Sequence, residues 1–244
     1  MSFGSPGSAP PSFSGHRPPL PLPNLPVLRS PQGLATALTV LLSVCAAVNL
    51  LSAGVGVYTW SLTRVLTGDP VAVRDDALGR SGLLASMAAS FQMLSLLATG
   101  VVFVIWFHRV RTNGQVFLPG GFSQSRGWAI GAWFVPFGNL YLPYRIAKET
   151  WRAAGLPDQA GSGRRASTAP VTAWWLVWVG STLCDAVVQQ LYKRVETPEG
   201  LGIASGAGAF ADLTTAAAAV LAVLFVRRLT ALQHTRAMSV YAAV

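Results

Sequence analysis

Charged side chains are scarce in this chain of 244 residues. They make up 11% of the total, where a soluble domain carries about 25%. That shortfall excludes an ordinary water-soluble globule. Acid is scarcer still, with nine Asp and Glu against eighteen Lys and Arg. Only two cysteines occur, Cys45 and Cys184, each inside an apolar run. They cannot form a secreted disulfide framework, and they are too few for a structural zinc site. His16, His108 and His234 fall in separate terminal or flanking segments. None stands at ligand spacing from a cysteine, and none lies within an apolar run to activate a serine. GxSxG, GxxxxGK[ST], HExxH and CxxC are all missing. The sequence therefore offers no catalytic residue, no metal-ligand set and no cofactor motif, and a non-enzymatic protein is the expectation.

Apolar residues are abundant, at 52%. Four runs, at 34–58, 83–107, 171–191 and 203–226, each reach the roughly 20 residues needed to cross a bilayer. An all-α integral membrane protein is expected, with its membrane domain over 32–236 and a short tail over 237–244. Residues 1–31 are rich in Pro, Ser and Gly and read as a disordered tail. The run Pro18-Pro19-Leu20-Pro21-Leu22-Pro23 is of the kind that docks on aromatic grooves, although a passive tail fits the composition better. No charged region leads directly into an apolar core, as a signal peptide requires. The net charge of +9 is almost wholly arginine. It is explained by basic residues gathering at the cytoplasmic ends of helices, so nucleic acid is not an expected partner.

One apolar segment, 127–155 (GWAIGAWFVPFGNLYLPYRIAKETWRAAG), is not a plain span. Pro136 and Pro143 remove backbone donors, and broken backbone at membrane depth is tolerated only where protein or a water-filled cavity satisfies it. Charge bears on whether it crosses. With four spans and a non-crossing segment, Arg64, Arg74, Arg80, Lys193 and Arg194 lie outside and the other basic residues lie inside. Letting the segment cross spoils that asymmetry. The favoured expectation is thus four transmembrane helices plus a re-entrant or interfacial element, with both termini cytoplasmic. Five transmembrane helices are the alternative. Within the segment, 128–135 reads as a short half-helix and Pro143 as the start of a second helix. Leu140, Tyr144, Ala147 and Trp151 share a face of that helix.

The pattern Gly127-Trp128, Gly131, Trp133-Phe134, Pro136, Asn139-Leu140, Pro143-Tyr144 and Trp151 resembles the core motif of the bacterial membrane family called domain of unknown function 4328. The stretch Trp106-Phe107-His108-Arg109-Val110-Arg111-Thr112-Asn113 is similar to that family's basic exit from a membrane helix. Residues 226–233 (VRRLTALQ) are similar to its C-terminal end. The resemblance covers about 92–233. It implies an integral membrane protein of the cell membrane and supplies no reaction.

Two constellations are candidate sites. Asn49, Gln92, Asp185, Gln189 and Asp212 are polar residues within the four spans. Such groups are functional candidates by default, and by rise per residue they fall near one layer in the outer half of the membrane. They read either as a polar cavity for a cation or a proton relay, or as hydrogen-bonded glue between helices. The second is a basic, aromatic layer on the cytoplasmic side: Arg109, Arg111, Arg126, Arg145, Lys148 and Arg152 beside Trp128, Gly131, Trp133, Pro136, Asn139, Pro143 and Trp151. It reads either as topology and anchoring or as a contact for anionic lipid headgroups. A protein partner or a second copy of the chain is a further candidate there. A scaffold or regulatory, lipid-interacting role through this layer is the favoured expectation, with a small transporter or a proton or cation pathway through Asp185 and Asp212 as the alternative.

Overall fold

The computed structural model describes residues 28–68, 75–155 and 166–242, together with Met1. The Pro-rich tail and most of the 156–169 loop fall outside them. The regular structure of the described residues is all helical, without a strand: α1 (Gln32–Gly68), α2 (Asp75–Phe117), α3 (Trp128–Gly131), a 3₁₀ turn (Gly138–Leu140), α4 (Leu142–Ala154), α5 (Ala169–Tyr192) and α6 (Pro198–Ala242). Four of these, α1, α2, α5 and α6, are long and apolar enough to cross a membrane. α5, with 24 residues, is roughly 36 Å long, close to a 30 Å hydrocarbon core. The other three overhang it. α6 runs on through 237–242, the stretch read from sequence as a tail.

The four long helices form an up-and-down bundle. At one end, Asn113 Nδ2 donates to the Arg29 carbonyl (2.8 Å) and to Gln233 Oε1 (3.3 Å), and Gln233 Nε2 donates to the Val110 carbonyl (2.8 Å). These bonds tie the start of α1 to the end of α2 and the last third of α6. At the other end, Gly202 lies against Thr63 and Trp60, and the Tyr192 hydroxyl reaches Ser205 (3.5 Å). The α1–α6 seam is made of small residues: Ala46, Ala53, Ala209, Ala216 and Ala219 are buried. Where lipid removes the hydrophobic drive, such residues hold helices by letting backbones approach closely. Outward, the long helices present an apolar belt that includes Leu51, Leu94, Leu176, Val187 and Phe210.

The first end holds an aromatic core. The Trp174 and Phe225 rings stack with centroids 4.6 Å apart, and Phe225 also meets Trp106 (5.6 Å) and Trp151 (6.1 Å). The 127–155 segment feeds this core. Arg126 Nε donates to Gln115 near the end of α2 (3.0 Å). The chain then descends until Trp133 sits between Phe103 (5.4 Å) and Phe107 (5.9 Å) of α2 and Trp175 (6.1 Å) and Trp178 (5.8 Å) of α5. Trp178 is nine residues, roughly 14 Å, into α5. The chain climbs back through α4, whose Tyr144 hydroxyl bonds Thr172 (3.0 Å). It ends with Gly155 against Ala166, just before α5. Both ends of the segment therefore lie at the same end of the bundle, and the segment wedges α2 from α5.

Two local expectations need correcting. The half-helix over 128–135 is a single turn, α3, followed by i→i+3 bonds at Trp133 and Phe134. Pro136 disfavours helix in the residue before it, and Phe137 takes φ 58°, which ends any continuation. Leu140 does not share the buried face of α4. It belongs to the 3₁₀ turn and is exposed, while Ile146, Ala147, Thr150, Trp151 and Ala154 are buried.

Candidate functional site: a polar cavity between the four long helices

In the half of the bundle opposite the wedge, the gap beside α2 is not filled. A cavity of about 690 Å³ remains, and Asn49, Gln92, Asp185, Gln189 and Asp212 all line it. Five polar residues from four helices, far apart in sequence, thus face one space. Gln92 is the hub. Its amide Nε2 donates to Asn49 Oδ1 (3.0 Å) and to Asp212 Oδ1 (2.7 Å), which uses both amide hydrogens. Asn49 is buried and donates back to the Cys45 carbonyl of its own helix (2.8 Å). Asn49, Gln92 and Asp212 are thus hydrogen-bonded to one another across three helices. Asp185 and Gln189 are exposed on α5 and face the same space, with Asp185 set against Thr215 of α6. Among the described residues, no Lys, Arg or His lines the cavity, so its walls carry two carboxylates and no cation of their own.

The sequence reading missed most of the lining. Cys45, Asn49, Ser52, Gly56 and Thr59 follow one another on α1; Ala85, Ala89, Gln92 and Leu96 do so on α2; Leu201, Ser205, Gly208, Asp212 and Thr215 do so on α6. The steps alternate between three and four residues, which keeps each set on one helical face. That stripe was the available signal.

The basic layer is distributed differently. Arg111 is not a surface cation. It is 1% exposed, its guanidinium lies 3.6 Å from the centre of the Phe122 ring, and it donates to the Gln124 carbonyl. The loop after α2 folds over it, so it staples that loop. Arg109 donates to the Ser30 carbonyl (3.3 Å). Arg145 pairs with Glu149 (3.3 Å), and Glu149 also takes the Ser123 hydroxyl (2.6 Å). The Lys148 ammonium stands 5.1 Å over the Tyr144 ring. The Tyr144 phenol is held below its ordinary range chiefly by its bond to Thr172, with burial opposing. Arg126 and Arg152 are exposed. Trp133 and Trp151 belong to the core, and Pro143 is buried. Trp128, Phe134, Pro136, Phe137 and Tyr141 are exposed, and Gly131 and Asn139 are half-buried.

The family described as Domain of unknown function (DUF4328) matches residues 69–231. The chain belongs to that family. The match takes in α2, the wedge, α5 and most of α6, and so includes Gln92, Asp185, Gln189 and Asp212 as well as the 127–155 motif. No curated protein and no solved structure matches the chain.

Proposed function

We propose that this chain is a four-span protein of the cell membrane, non-enzymatic, whose intramembrane cavity binds cations that reach it from the side opposite the wedge. The observation that carries this reading is the convergence of Asp185 and Asp212 on one cavity without a basic residue among its described lining. A carboxylate at membrane depth is costly unless it is paired or hydrated, so an exchangeable cation is the natural counter-charge. In this reading the wedge is a re-entrant element. Both termini and the basic ends lie in the cytoplasm, in keeping with the positive-inside rule.

The test is thermal melting of the purified protein in a panel of cations that includes sodium, potassium and tetramethylammonium. A ligand at a hundred times its Kd stabilises by about 2.7 kcal/mol. At least one cation should raise the melting temperature of the wild type and not that of Asp185→Asn or Asp212→Asn. No shift with any cation would overturn the proposal.

A second reading puts a scaffold or lipid-contact role at the wedge. It is favoured by the exposed rings of Phe134, Phe137 and Tyr141 and by the exposed Arg126 and Arg145 of the same segment. It ranks second because Arg111 is buried and Arg145 and Lys148 already have partners. Its test is co-purification of anionic lipid, which Arg126→Ala together with Arg152→Ala should reduce.

A further inference from the structure

The shape and lining of the cavity say more than its charge, and the inference they carry rests on the cation reading of the same site. From Cys45 to Thr59 on α1, and from Leu201 to Thr215 on α6, the walls extend roughly 21 Å at the helical rise. The polar residues sit in one part of that length. Asn49 is one turn from the Cys45 end of α1, Gln92 one turn from the Leu96 end of α2, and Asp212 one turn from the Thr215 end of α6. The rest of the length is walled by Val55, Leu78, Ala85 and Leu201. Hydroxyls do occur there, but Thr59 bonds to the Val55 carbonyl (3.0 Å) and Ser81 to the Leu78 carbonyl (2.9 Å), while Tyr192 and Ser205 turn their hydroxyls to each other (3.5 Å). A hydroxyl bonded to its own helix leaves mainly carbon surface facing the space.

A multivalent metal ion fits this arrangement poorly. Calcium takes six to eight oxygens at about 2.3–2.6 Å, whereas no group of three His, Cys, Asp or Glu is placed to hold a metal among the described residues. A volume of about 690 Å³ lies in the range of organic-ligand sites, roughly 300–1,000 Å³. We propose that the cavity takes an amphiphilic organic cation, with its ammonium-like head between Asp185 and Asp212 and its apolar body along Val55, Ala85 and Leu201.

The experiment measures binding to the full chain in lipid nanodiscs, with empty nanodiscs subtracted. The probes are hexyltrimethylammonium, tetramethylammonium, sodium and hexylsulfonate. Hexyltrimethylammonium should bind at least about tenfold tighter than tetramethylammonium, because each buried methylene adds favourable transfer energy. It should weaken by about tenfold or more in Asp185→Asn and Asp212→Asn, since a charge-assisted contact is lost, and hexylsulfonate should not bind. Ala85→Phe, which fills the apolar part, should weaken hexyltrimethylammonium and leave tetramethylammonium unchanged. That variant decides the matter if an Asp variant fails to fold. Equal or tighter binding of tetramethylammonium or sodium would overturn this inference and leave the cation reading standing. Binding of no cation would overturn both.

Discussion

Gly56 and Gly82 show how one residue type serves opposite ends in this chain. Both line the cavity. A Cβ on Gly56 would stand 2.9 Å from the Ser205 carbonyl and 3.2 Å from Ala209 Cβ, against backbone that cannot step aside, whereas one on Gly82 would meet nothing within 4 Å. Gly56→Val should therefore destabilise by about 1–3 kcal/mol through overpacking, and Gly82→Val should be close to neutral. Thermal melting of the two variants in one detergent checks the contrast. The same pair explains how much of the site was legible in the sequence. Asn49, Gln92, Asp185, Gln189 and Asp212 stand out because a polar group in an apolar run is rare. The space they face does not stand out, because small residues make close packing and open lining alike. Arg111 is a related case. A charge count places it at the surface, and only the fold of Phe122 over it shows that it is internal.

Among the elements, the wedge is the least regular and the most informative. Pro136 and the aromatic content mark it in the sequence as something other than a span, and charge favours its return to its own side. That Trp133 bridges α2 and α5, beside the direct Phe103–Trp174 contact (5.7 Å), was not legible, since no local pattern reports which helices flank an irregular loop. Trp133 meets four aromatic rings on those two helices. Trp133→Ala should cost about 3–5 kcal/mol, as large aromatic truncations in a packed core do, and Trp133→Phe should recover part of it. Substituting the exposed ring of Phe134 by Ala should leave melting nearly unchanged, so the pair separates packing from surface contact. Phe137, with φ 58° and 89% of its surface exposed, holds a backbone conformation that costs about 1–3 kcal/mol for a side-chain-bearing residue.

At the scale of the whole molecule, the bundle divides into two halves with different contents. One half is filled by the wedge and its aromatic core, and the other keeps a polar cavity between the same four helices. The four-helix count was legible from run length alone, because a span needs about 20 apolar residues. The division was not, because it depends on α2 and α5 being held apart. Its topological consequence is checkable. A single reporter cysteine in the 156–169 loop, with Cys45 and Cys184 replaced, should be protected from an impermeant reagent in intact cells and labelled after permeabilisation. Labelling from outside would mean that the wedge crosses and that the bundle has five spans.

The most direct measurement is the charge selectivity of the cavity itself. Ser52 lines it, and Ser52→Cys in a chain without Cys45 and Cys184 gives a single reporter thiol within it. Its rate of modification from outside would be compared for a cationic trimethylammonium thiosulfonate and an anionic sulfonate thiosulfonate. The expected result is a cationic preference of about tenfold or more, given two carboxylates in a medium of low dielectric, and its loss when Asp185 and Asp212 are both changed to Asn. Equal rates for the two reagents, or a preference that survives removal of both carboxylates, would contradict a cation-binding cavity.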